Sequence, residues 1–107
     1  MNQSPKYITV DSDKDEAIYN NLGIDLCIQG KYDEGIANFC KAIQLKPKVA
    51  LLYYNRSIAF LRAGFPSIAK VDFETVQTLL YEYAIFKETQ ELYNILDVDF
   101  DGIFNIK

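Results

Sequence analysis

The 107-residue chain contains no histidine and only two cysteines, Cys27 and Cys40, which do not form a CxxC pair. Zinc sites of the usual Cys/His kind are therefore excluded. The commonest general base at neutral pH is missing as well. There is no glycine-rich phosphate loop and no paired nucleophile and base. Catalysis is not expected, and neither a cofactor nor a metal is implied. The carboxylates Asp11, Asp13, Asp15 and Glu16 cluster near the start, where acidic side chains commonly serve as a solvated helix beginning.

Positive charge is also scarce. Eleven Lys and Arg face 15 Asp and Glu, for a net charge of −4, which argues against a nucleic-acid partner, because non-specific binding depends on basic surface. No apolar run approaches the roughly 20 residues needed to cross a bilayer, so membrane insertion is not expected. The opening residues, MNQSPKYITVDSDKDE, lack the apolar centre of a signal peptide. A cytoplasmic protein is the default expectation. Half of the residues are hydrophobic and 24% are charged, the balance of one soluble globular domain. Cys27 and Cys40 both fall among apolar residues and read as small buried hydrophobes, with a reactive thiol as the alternative.

What the chain does have is an internal repeat. Tyr19 aligns with Tyr53, Asn21 with Asn55, Ile24 with Ile58, Gly30 with Gly64, Phe39 with Phe73 and Leu45 with Leu79. Each pair is separated by 34 residues, and two copies of one supersecondary unit explain the common spacing. Within each copy the period is helical. Leu22 and Leu26 mark a first helix that ends near Gly30, a residue suited to the left-handed turn after a helix. Ile36, Phe39, Cys40 and Ile43 mark a second helix that stops before Pro47. In the second copy, residues 51–62 form the first helix, Gly64 ends it, and Pro66 opens the next. Each copy is therefore expected to be an antiparallel helical hairpin.

The positions Tyr19, Leu22, Gly23, Leu26, Gly30, Tyr32, Gly35, Phe39, Ala42 and Pro47 resemble the tetratricopeptide repeat, a 34-residue helix–turn–helix unit. The second copy, with Tyr53, Asn55, Ala59, Phe60, Gly64, Ala69, Phe73 and Leu79, is similar but looser. It departs at Ser57, Val76 and Tyr81, where the family prefers glycine, alanine and proline. The resemblance covers residues 16–83 and implies an all-α right-handed superhelix of about five helices. The expected organisation is an arm over residues 1–15, extended or disordered, then repeats over 16–49 and 50–83. A capping helix with an acidic tail follows over 84–107, with Tyr83, Phe86, Leu92, Tyr93 and Leu96 as its buried positions. No Gly or Pro lies between residues 67 and 96, so one long helix is the alternative to two. An unrelated four-helix bundle is the alternative fold.

The resemblance also implies that the first helix of each hairpin lines a concave groove. The groove residues are then Asn20, Asn21, Ile24, Ile28, Tyr54, Asn55, Ile58, Leu61 and Arg62, with Ala17, Cys27 and Leu51 beside them. An asparagine amide carries both donor and acceptor, so Asn21 and Asn55 are suited to gripping the backbone of an extended peptide. Co-chaperones of this family bind acidic chaperone tails through a carboxylate clamp, but only Asn55 matches it. Asn20 and Ile24 replace two of the clamp residues, and only Lys87 supplies charge near the right place. Arg56 and Arg62 remain as candidate contacts to an acidic ligand.

The expected function is a non-enzymatic adaptor or scaffold that holds a peptide or helix of a protein partner. The alternative is an assembly module that self-associates through the groove or the capping helix, making a homo-oligomer. Two repeats bury little core, and folding of the N-terminal arm into the groove is a third possibility. One motif lies apart: Asp97, Asp99, Asp101 and Gly102 form the first half of a calcium loop. The bidentate glutamate would fall at position 108, past Lys107, so an acidic turn without calcium is expected.

Overall fold

A computed structural model describes the backbone of residues 5–95 and the side chains of residues 5–90. The calcium-like stretch at residues 97–102, and Leu92, Tyr93 and Leu96, lie outside the described side chains. Four helices follow one another: α1 (Asp15–Ile28), α2 (Tyr32–Leu45), α3 (Ala50–Arg62) and α4 (Pro66–Ile95). Among the described residues there is no strand. The fold is all-α, built of helical hairpins: α1 pairs with α2, α3 pairs with α4, and α2 against α3 joins the two.

Local chemistry sets the helix ends. Asp15 and Glu16 occupy the first turn of α1, where the helix dipole favours negative charge. Gly30 and Gly64 take φ of 81° and 93°, a left-handed conformation that glycine adopts without steric penalty. Each closes its helix in the same way. Lys31 N–H donates to Leu26 C=O and Phe65 N–H donates to Phe60 C=O, at 2.9 and 2.8 Å, the six-to-one bond of a Schellman cap. α2 ends at Leu45, two residues before Pro47, and Pro66 is the first residue of α4.

The hairpins close tightly because small residues face each other. A Cβ on Gly23 would come within 2.8 Å of the Phe39 ring and 2.9 Å of Gly35 C=O. One on Gly35 would meet Gly23 C=O at 2.8 Å and run into the Cys27 sulfur. The equivalent positions of the second hairpin, Ser57 and Ala69, are also buried. The core they enclose centres on Ile24, Cys27, Phe39 and Ala59, with Tyr7, Tyr32 and Ile36 packed against it. Within the second hairpin, Arg56 of α3 makes a bidentate pair with Asp72 of α4, Nε to Oδ2 at 2.8 Å and Nη2 to Oδ1 at 2.7 Å. Its Nη1 reaches Cys40 Sγ of α2 at 3.5 Å. Arg56 is therefore a structural tie, and its candidacy as a ligand contact falls away.

The expected fourth and fifth helices are one continuous 30-residue helix. With neither Gly nor Pro in that stretch, nothing interrupts the hydrogen-bond series. Continuity changes burial. α4 is more than twice as long as the 13-residue α3 that it packs on, so its later turns run past the hairpin. Tyr83 and Phe86, expected to be buried, are 60% and 48% exposed.

The Gly23–Gly35 contact yields a direct test. Ala is normally favoured over Gly in a helix by about 1 kcal/mol. Gly35→Ala is nevertheless expected to lower unfolding free energy by about 1–3 kcal/mol through overpacking, as measured by urea titration with circular dichroism. An unchanged or raised midpoint would contradict the close approach.

Candidate functional site: an asparagine-lined groove

α1 and α3 carry Asn21 and Asn55 at equivalent places in the two repeats, and residues 5–10 run extended across them. Asn55 Oδ1 accepts from Ile8 N–H at 2.9 Å, and its Nδ2 donates to Ile8 C=O at 2.8 Å. Asn21 treats Val10 in the same manner, at 2.9 and 2.8 Å. Each amide thus acts like the facing residue of an antiparallel strand, exchanging both bonds with one backbone unit. An extended chain repeats its orientation every two residues. A 34-residue step along the scaffold therefore corresponds to a two-residue step along the arm.

Asn20 completes the network from beneath. Its Oδ1 accepts from Asn55 Nδ2 at 2.7 Å, and its Nδ2 donates to Asn21 Oδ1 at 3.1 Å and to Ile8 C=O at 3.4 Å. Asn20 and Asn55 are completely buried, and every amide atom of the trio has a partner, as buried polar groups require. Donor and acceptor atoms are fixed by the arm's own N–H and C=O, so the three amides have one consistent orientation.

Further along, Tyr54 Oη donates to Lys6 C=O at 3.1 Å and Arg62 Nη2 donates to Pro5 C=O at 2.7 Å. Of the remaining expected groove residues, Ile24 lies in the core under Tyr7. Ile58 is buried and Leu61 half-exposed in an apolar cleft of about 390 Å³ that also touches Pro5. Ile28 is not drawn in; it is 69% exposed.

Tyr7 is the residue that sequence reasoning did not single out. Its ring stacks on Phe39 with centroids 6.3 Å apart and planes at 27°. The Arg62 guanidinium lies 4.7 Å from the ring centroid on a cation–π contact. The Tyr7 hydroxyl is buried with no hydrogen-bond partner. Burial pushes its pKa up to about 12, with the nearby Cys27 thiol adding to the rise and Arg62 opposing it. Burial likewise pushes the Cys27 thiol up. A phenol whose docked pKa is raised favours docking below the pH at which free tyrosine ionises. That contribution is lost as pH climbs from about 10 towards 12. The available signal was local: KYITV is rich in β-branched and aromatic residues that favour extended structure.

The family described as "TPR repeat" matches residues 25–64. The TPR repeat-containing thioredoxin TDX of Oryza sativa subsp. japonica is 33% identical over 66 residues, covering 61% of this chain and 21% of that protein. Residues 25–64 carry tetratricopeptide-repeat sequence. Tetratricopeptide repeats generally mediate protein–protein interaction and are typically non-enzymatic. The chain spans about a fifth of the rice protein. No solved structure matches. Among the described residues, this tetratricopeptide scaffold has no helix long and apolar enough to cross a membrane and no cluster of potential metal ligands.

Asn55 holds Ile8 at both polar atoms, so Asn55→Ala should accelerate amide hydrogen exchange at Ile8 by about tenfold or more. Amides in the middle of α2 serve as the internal reference and should be unchanged. An Ile8 amide that exchanges in wild type as freely as in a short peptide would show that the arm is not held.

Proposed function

We propose that the chain is an adaptor module whose concave groove receives an extended segment of a partner protein, gripped through Asn21 and Asn55. The observation that supports this most is the pair of two-bond grips on alternate backbone units. They make no demand on side-chain identity, and they use residues that recur at the repeat spacing. Asn20 holds the two amides in place, Tyr54 and Arg62 extend the grip, and Ile24 and Ile58 supply the apolar floor. The arm serves as the resident occupant, held reversibly. Its six close hydrogen bonds to the groove contribute about 1 kcal/mol each, and burying the Tyr7 ring adds about 2 kcal/mol. Ordering the backbone of residues 5–10 costs about 1–2 kcal/mol per residue. The two sides nearly cancel.

The test uses the full chain with Tyr7→Ala, which weakens the resident arm, and a fluorescent peptide of residues 5–11. Anisotropy should show saturable binding to this variant and weaker binding to wild type, where the arm competes. Adding Asn21→Ala and Asn55→Ala should abolish binding; binding that survives both changes would overturn the amide grip.

A second reading, assembly through α4, rests on the exposed apolar side chains Leu80, Tyr81, Tyr83 and Ile85. On that reading, sedimentation velocity should show a mass that rises with concentration and returns to monomer in Tyr83→Ser/Ile85→Ser. A monomer at every concentration removes it.

A further inference from the structure

The docked arm leaves binding energy unused at two neighbouring side chains. The Tyr7 hydroxyl is buried without a well-formed hydrogen bond; the Cys27 thiol beside it is a weak partner. A hydroxyl in that position gives up its water hydrogen bonds and regains nothing of equal strength. Everything else about the pocket suits an aromatic ring: the Phe39 stack, the Arg62 cation over the face, and the apolar wall of Ile24 and Cys27. A ring without the hydroxyl keeps all of these contacts. The next residue, Ile8, remains 49% exposed at the edge of an apolar cleft of about 300 Å³ lined by Leu51, Tyr54, Val76 and Leu80. A longer apolar side chain there would cover more of the cleft wall. The grips on Ile8 and Val10 need both N–H groups, so proline is excluded at these two places.

We propose that the groove selects a partner segment with phenylalanine at the place of Tyr7, a large apolar residue next, and residues other than proline at the places of Ile8 and Val10. The arm is then a submaximal occupant that such a segment displaces. This rests on the groove reading above and adds to it a chemical class of ligand.

The first experiment is Tyr7→Phe in the full chain. Removing the unpaired hydroxyl should slow amide exchange at Ile8 and Val10 by about tenfold, whereas Tyr7→Ala should speed it. Exchange in Tyr7→Phe that is as fast as wild type, or faster, overturns the proposal. The second experiment titrates two fluorescent peptides of residues 5–11, one native and one carrying Tyr7→Phe, onto the full chain with Tyr7→Ala. The Tyr7→Phe peptide should bind about tenfold tighter, and both should need Asn21 and Asn55. Equal affinities with intact asparagine dependence overturn the phenylalanine preference and leave the groove standing. Binding of neither peptide overturns the groove itself, and with it the preference.

Discussion

The organisation of this molecule depends on one pairing: a side-chain amide against a backbone amide. Asn55 and Asn21 each present an oxygen and a nitrogen in the geometry with which one strand meets another. They do so from helices, which have no free backbone groups along their length to offer. The bonds to Ile8 and Val10, at 2.8–2.9 Å, are partly shielded from bulk water, which strengthens hydrogen bonds and makes unpaired groups costlier. This favours complete engagement of the arm over partial contact. The buried Asn20 transmits the same condition between the two repeats, because its amide touches both grips.

The scaffold beneath holds those two asparagines at a spacing that Ile8 and Val10 of the arm match. That spacing follows from how closely the helices pack. Gly23 against Gly35 sets the first hairpin, and Ser57 with Ala69 occupies the corresponding places in the second. The Arg56–Asp72 pair fixes α3 to α4, with Cys40 of α2 at its edge. Removing either partner of so buried a pair would leave a charge without compensation, which is far more disruptive than losing a surface ion pair. Rigidity is thus concentrated beside the amide row.

Much of this was legible in the sequence because repetition announces itself. Asn21 with Asn55 and Gly30 with Gly64 stand 34 residues apart, and both glycines perform the same turn. The helix stop near Pro47 and the start at Pro66 were equally readable, since proline acts locally. The continuity of α4 was harder: absence of a breaker permits a long helix but does not require one. The exposure of Tyr83 and Phe86 followed from that continuity and had no separate signal. Arg56 looked like a ligand contact because Asp72, 16 residues away, becomes its neighbour only when two helices fold together. Tyr7 lay in a short segment with no counterpart in the other repeat, so periodicity had nothing to say about it. Its composition indicated extended structure, and the third possibility for covering the groove, the arm itself, identified where such a segment could go.

The last gripped residue, Val10, is joined to α1 by only four intervening residues, 11–14. So short a tether keeps the arm beside its site at an effective concentration in roughly the millimolar range. On the proposed reading, a free segment would compete against that standing local excess. The groove would then behave as a threshold element, turning away weak or fleeting encounters and registering only an occupant with a large margin. The four tether residues would set the level of that threshold. Lengthening them would lower it without altering a single contact in the groove.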